Sequence, residues 1–149
     1  MVVVELFARK FNNEALMETK EHIKALIIDD SPYIHTLMSA LLKREGVKNI
    51  FHAHNGDDGL KMFIQIEPDI IFLDNIMPKT SGLEVLQAIR KSNHECKVIM
   101  ISSMSSAQAI EDSKILGANY YLVKPFLPEK IRYVLDRFLK IDNLISLSI

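Results

Sequence analysis

An α/β fold, a doubly wound parallel sheet of five strands with helices on both faces, is what three features of this sequence predict. Short β-branched runs alternate with longer segments whose apolar residues recur at helical spacing. The short runs are nearly continuous in apolar residues, as strands buried on both faces are, and the connections between the segments are short. Right-handed crossovers then leave few topologies. Residues 1–22 mix Val3, Leu6, Phe7 and Phe11 with charged side chains and suit a helix, although Val2 to Val4 equally suit the start of a strand. The strand candidates follow at 24–29 (KALIID), 49–54 (NIFHAH), 69–74 (DIIFLD), 97–102 (KVIMIS) and 119–124 (NYYLVK). After the first strand, Ile34, Leu37, Met38, Leu41 and Leu42 define one face of a helix, with Ser31 and Pro32 at its start and Gly46 at its end. Ser81 and Glu84 have the spacing of a capping box at the head of a further helix, and Ser105 and Gln108 have it at the head of the next. The last helix begins at Pro128 and carries Ile131, Val134, Leu135, Phe138 and Leu139 on one face, which should lie along the sheet.

The chain has 149 residues, 48% of them hydrophobic, enough for one well-buried core but not for two ordinary domains. The expected organisation is an N-terminal extension (1–22), a core domain (23–140) and a short apolar tail (141–149). A formal charge of -1 gives no general attraction to nucleic acid or to an anionic membrane, so neither is expected as a partner. Cys96, the single cysteine, has no partner for an internal disulfide, and no stretch reaches the ~18 apolar residues of a membrane span. The opening MVVVELFARK lacks the layout of a secretory signal, so it is read as part of the mature protein, and a reducing cytoplasm is the expected compartment.

In an open α/β sheet of order 2-1-3-4-5, ligands bind beyond the carboxyl ends of the strands, where the order reverses between strands 1 and 3. Polar residues fall at that edge: Asp29 and Asp30 after strand 1, Asp74 after strand 3, Ser102 after strand 4 and Lys124 after strand 5. Each alone has a plain structural use, as a helix cap, a turn or a solvated charge. Together they place three carboxylates near one ammonium, which capping does not require. Carboxylates 4 Å apart repel by roughly 4 kcal/mol per pair at an effective dielectric of 20, so a cation is expected among them. Oxygen ligands without Cys or His at this edge favour a hard ion such as Mg²⁺. Carboxylates, metal, hydroxyl and ammonium are the equipment for receiving a phosphoryl group, with one carboxylate as nucleophile.

The ordered set IIDDS, DIIFLDNIMP, VIMISS and YYLVKPF resembles the receiver domain of two-component response regulators over roughly residues 23–140, a domain of flavodoxin-like fold. The resemblance implies a signalling switch like the chemotaxis regulators of that family rather than an enzyme with turnover, and because the sequence ends within nine residues of the last helix it is expected to stand alone, with no DNA-binding output domain. Asp74 would accept a phosphoryl group from a partner histidine kinase or phosphotransfer protein. Asp30, Asp74 and the backbone carbonyl of Ile76 would bind Mg²⁺, and Asp29 would hold a metal-bound water. Ser102 and Lys124 would contact the phosphoryl oxygens, Lys124-Pro125 would be a cis peptide, and Tyr121 would occupy the aromatic switch position. A downstream protein would read the surface of the fourth helix, fifth strand and fifth helix of the core domain, including Arg132, Tyr133, Asp136 and Arg137. Ile76 and Met104 depart from the polar residues of fast-cycling relatives, which implies slow self-dephosphorylation.

Other readings remain open on the sequence. His52 and His54, at i and i+2, could share a face and bind a metal, although no third ligand is evident nearby, and two solvated rings are the plainer account. His35 suits either packing or contact with a docking kinase, and Cys96 reads as structural. A haloacid-dehalogenase-like phosphatase would need its nucleophile after strand 1 in a D-x-D pattern, whereas Asp29 and Asp30 are adjacent. A flavin binder would meet two acids where the flavin phosphate should sit. Finally, residues 1–22 could make the chain an assembly module that pairs two copies as a homodimer.

Overall fold

The computed structural model of the chain describes residues 2–93 and 95–139. In order these form α1 (Val2–Lys20), β1 (Lys24–Ile28), α2 (Pro32–Arg44), β2 (Asn49–Ala53), α3 (Gly56–Ile66), β3 (Ile70–Asp74), α4 (Gly82–Ser92), β4 (Lys97–Ser102), α5 (Ala107–Ile115), β5 (Tyr120–Val123) and α6 (Pro128–Phe138). The five strands pair in parallel in the order β2-β1-β3-β4-β5, the doubly wound arrangement predicted from the sequence. The tail 141–149 lies outside the described residues.

Period-two alternation divides the sheet between two cores. Ala25, Ile27, Ile70, Phe72, Ile99 and Ile101 pack with Ile34, Met38 and Leu42 of α2 and with Ile131, Val134 and Leu135 of α6. Leu26, Ile28, Ile71, Leu73, Val98 and Met100 pack on the other face with Phe63 of α3 and Val85, Leu86 and Ile89 of α4. Between β1 and β4, β3 is buried along its whole length, which accounts for the four apolar residues before Asp74. The register then levels the strand ends. Ile28 lies opposite Leu73, so Asp29 is level with Asp74, while Asp74 pairs with Ile101 and Ser102 with Val123. One edge therefore collects all the polar ends.

Local signals were realised unevenly. Ser81 and Glu84 form the full capping box of α4, each side chain bonding the other's backbone N–H. The box expected at Ser105 is corrected: Ser106 caps α5 by accepting from Ala109 N, and Gln108 instead donates to Asp112. Ser31 precedes α2 but makes no side-chain cap bond, and its N–H is held by the Asp29 carboxylate at 2.8 Å. Gly46 follows α2 with φ 94°, the left-handed value that suits glycine after a helix.

Val2 to Val4 belong to a helix, not to a strand. The end of α1 is fastened to the core domain by Lys20, only 4% exposed, whose Nζ lies 3.0 Å from Asp136 and 3.5 Å from Glu45. Arg132 also binds Glu45, at 3.1 Å. Residues 2–11, by contrast, are exposed on every side of the helix.

Candidate functional site

β1, β3, β4 and β5 each deliver one element of the pocket at their carboxyl ends. Asp29 is fully buried and Asp74 is 5% exposed, whereas Asp30 is exposed at the mouth. One oxygen from each of these three carboxylates lies within 4.8 Å of the others. Lys124 reaches in from beyond β5, its Nζ 2.8 Å from Asp29 Oδ2 and 3.5 Å from Asp74 Oδ1. Ser102 is buried, and its Oγ accepts from the Met104 N–H at 3.1 Å. Tyr121, half-buried against the α3/α4 core, donates its hydroxyl to the Met104 carbonyl at 2.8 Å. The loop after Ser102 is thus tied to both residues named as switch candidates. Lys124-Pro125 is cis.

The electrostatics of Asp74 are those of an acid held where an anion is costly. Burial first, and the neighbouring Asp29 carboxylate second, raise its pKa from 3.8 to about 6, against the opposing pull of Lys124 and the Ile76 N–H. One ammonium does not neutralise three carboxylates. The residues present fit a hard divalent cation, because every donor is an oxygen and the three already converge to within 4.8 Å. Ile76 is 56% exposed and Met104 39% exposed, so neither apolar side chain is drawn into the core.

Sequence reasoning passed over Gly82. A Cβ there would run into the Asp74 carbonyl oxygen and stand 2.7 Å from Asn75 Cα. Only glycine lets the first turn of α4 approach the end of β3 this closely, where the Gly82 N–H donates to the Asn75 carbonyl at 2.9 Å. The signal was a glycine directly after the capping serine. The histidines also differ from expectation. His35 is 6% exposed, bonded to His52 on one side and to the Asp29 carbonyl on the other, so it is a packed residue rather than a docking contact, and it supplies the nearby partner that His52 and His54 had lacked. Cys96 is buried, and burial pushes its thiol up to about 11, which leaves it inert.

A family model described as the response regulator receiver domain matches residues 25–136. Chemotaxis protein CheY of Listeria monocytogenes is 32% identical over 118 residues, 79% of this chain and 99% of its own. Sporulation initiation phosphotransferase F of Bacillus subtilis is 30% identical, covering 80% and 96%. Among solved structures, CheY4 of Vibrio cholerae superposes with a TM-score of 0.73 at 30% identity, over 78% of this chain and 98% of its own. The CheX-CheY-BeF3-Mg complex of Borrelia burgdorferi gives 0.74 at 29%, over 77% and 87%.

A consequence for stability follows from the raised Asp74 value. The folded state binds that proton more tightly than the unfolded chain, so without metal the protein loses stability as pH rises from 3.8 to about 6 and does not regain it above. Asp74→Asn removes the penalty. In chelator at neutral pH this variant should be more stable than the wild type by roughly 2–3 kcal/mol, the difference vanishing toward pH 4, as read by denaturant melts across pH. An equal or lower stability of the variant at neutral pH would contradict the assignment.

Proposed function

Given that the chain belongs to the response regulator receiver family, we propose that it accepts a phosphoryl group on Asp74 from a phosphohistidine-bearing partner and changes its protein-binding surface in response. The observation that carries this reading is the burial of Asp74 between Asp29 and Lys124 at the level where three carboxylates converge. In the transfer, an Asp74 carboxylate oxygen attacks phosphorus, the bond from phosphorus to the imidazole nitrogen breaks, and the departing ring takes up a proton. Asp30, Asp74 and the Ile76 carbonyl would hold Mg²⁺, with Asp29 orienting a water of its shell. When bound, the ion supplies positive charge between the carboxylates and the phosphoryl oxygens. The structural neighbour solved with BeF3 and Mg supports the choice of ion.

Lys124 would shift from Asp29 toward a phosphoryl oxygen, a short move from its position 3.5 Å from Asp74. Ser102 would exchange its bond from Met104 for one donated by its hydroxyl to the phosphoryl group. Because Tyr121 is bonded to Met104, displacement of that loop passes to the Tyr121 ring and so to the surface of α5, β5 and α6. Tyr133 is 46% exposed on this surface, while Arg132 and Asp136 are engaged by Glu45 and Lys20, so Tyr133 and Arg137 are the freer contacts for a downstream protein. A cytoplasmic setting fits this role; no helix among the described residues is long and apolar enough to cross a membrane.

A second role is favoured by α1. Val2, Val3, Val4, Leu6, Phe7 and Phe11 are 59–78% exposed. Together they present roughly 700 Å² of exposed apolar side chain, close to one partner's share of a standard protein interface. The exposed turns at residues 2–11 are shorter than the roughly 12–15 residues an isolated helix needs in water. Glu5, Arg9, Lys10 and Glu14 balance in charge, which offers nothing to an anionic lipid surface. We assign this face to a second copy of the chain.

Three measurements bear on these readings. Incubation with acetyl phosphate and Mg²⁺ should add one phosphoryl mass to the wild type and none to Asp74→Ala; an adduct on both places the acceptor elsewhere. Ile76→Asn should shorten the adduct's lifetime several-fold by offering a polar group to the hydrolytic water, whereas an unchanged lifetime removes Ile76 from that role. By light scattering the full chain should be dimeric and Phe7→Glu monomeric. A wild-type monomer, or a dimer indifferent to Phe7→Glu, would remove the assembly role.

A further inference from the structure

Three histidines form a second cluster of titratable groups beside β1, next to the carboxylate pocket, with His54 lining the same cleft as Asp30. His35 Nε2 lies 2.7 Å from the Asp29 carbonyl oxygen. That oxygen only accepts, so Nε2 carries the proton and, in the neutral ring, Nδ1 carries a lone pair. The lone pair faces His52 Nδ1 at 2.8 Å, so His52 donates from Nδ1 and keeps Nε2 as an acceptor, 3.5 Å from Ser39 Oγ. The carbonyl fixes the whole direction of this chain. His54 packs its ring on His35 with centroids 4.1 Å apart, and both His52 and His54 are exposed.

This is how proteins prepare imidazoles for metals. A ligating histidine commonly donates its other ring N–H to a backbone carbonyl, which sets the tautomer and aims the lone pair. Burial first, then the neighbouring His35 and His54 rings and Lys43, lower the pKa of His52. His52 is therefore held in the neutral form that binds metal, while the Asp29 carbonyl sets the tautomer of His35.

We propose that His35 and His52 hold a borderline divalent transition ion such as Zn²⁺ through their Nδ1 atoms, in place of the proton they share. Tetrahedral Zn²⁺ with bonds of 2.0–2.1 Å sets its nitrogen ligands about 3.3 Å apart, so the rings need to separate by about 0.5 Å and to turn until both Nδ1 lone pairs meet at the ion rather than at each other. His52 is on the surface and free to make that move. His54 is stacked rather than aimed at the shared point, so it becomes the third ligand by turning its exposed side chain, and water completes the shell. Binding releases no net proton: the hydrogen on His52 Nδ1 passes through solvent to Nε2, giving the neutral tautomer whose Nδ1 lone pair faces the ion. Ligand softness keeps the two sites apart, oxygen donors selecting Mg²⁺ and imidazoles Zn²⁺, Ni²⁺ or Cu²⁺. An ion here would tie α2 to β2 and fix the Asp29 backbone beside the acceptor, a link between transition-metal supply and the phosphorylation site.

Calorimetric titration of the full chain with Zn²⁺, in excess Mg²⁺ to fill the carboxylates, tests this. One Zn²⁺ should bind per chain, about tenfold or more weaker in His52→Ala, weaker also in His54→Ala, and unchanged in Asp30→Asn. Both histidine replacements are at exposed positions and should leave the fold intact. As a readout on the unmutated protein, the ring resonances of His35 and His52 should shift on adding Zn²⁺ and return with chelator. Absence of binding, binding untouched by either histidine replacement, or binding lost with Asp30→Asn would overturn the site. None of these outcomes depends on whether Asp74 is phosphorylated, which the acetyl phosphate assay reads separately.

Discussion

A single ammonium among three carboxylates is the constraint on which this molecule is built. Lys124 contacts the fully buried Asp29 at 2.8 Å and stands 3.5 Å from Asp74, and without it two buried acids at the end of an apolar sheet would face each other uncompensated. Removing one partner of a buried pair leaves the other charge stranded, which is the expensive outcome. Even with Lys124 in place the charge is short, and Asp74 responds by holding its proton to about pH 6. The sheet register enforces this arrangement, since Asp29 and Asp74 are level at the ends of adjacent strands that are fixed by apolar residues on both faces. A site so arranged gains by taking up positive charge and by giving Asp74 a reason to ionise. Binding a divalent ion would do both, leaving Asp74 ionised as a nucleophile for a phosphoryl group.

Two features outside the pocket touch the same framework. Lys20 joins α1 to α2 and α6 through Glu45 and Asp136, so the projecting helix is mechanically continuous with one edge of the surface that a downstream protein would read. The histidine cluster is continuous with the other side, through the Asp29 carbonyl. Each would give the proposed events away from the pocket, pairing of copies or capture of a metal ion, a physical connection to the elements proposed to respond to the acceptor. Both routes run through a few named contacts rather than through the fold at large.

The strands were legible because a five-stranded parallel sheet buried on both faces forces continuous apolar runs, and KVIMIS occupies the residues read from it while the others lose only one terminal residue or two. Right-handed crossovers left few strand orders, and the order 2-1-3-4-5 put the polar strand ends at its switch point. What escaped the sequence was of three kinds. Ser105 and Ser106 are adjacent, and only the local backbone decides which of them caps α5. Gly82 matters for the space it leaves beside Asp74, which composition does not report. His35 is separated by 17 residues from His52, and Lys20 is further still from Asp136, so their contacts exist only once the helices are laid on the sheet. The acid pocket was readable by contrast because the topology rule names the edge at which separated residues meet.

The most direct test of the central claim is a pH titration of the Asp74 carboxyl carbon by NMR, with and without Mg²⁺. The expected result is a midpoint near the value of about 6 in metal-free protein, falling well below that when Mg²⁺ is added. An Asp74 that titrates in the ordinary carboxylate range and ignores Mg²⁺ would show that the three acids do not share a charge-starved pocket, and the phosphoacceptor assignment would lose its physical basis.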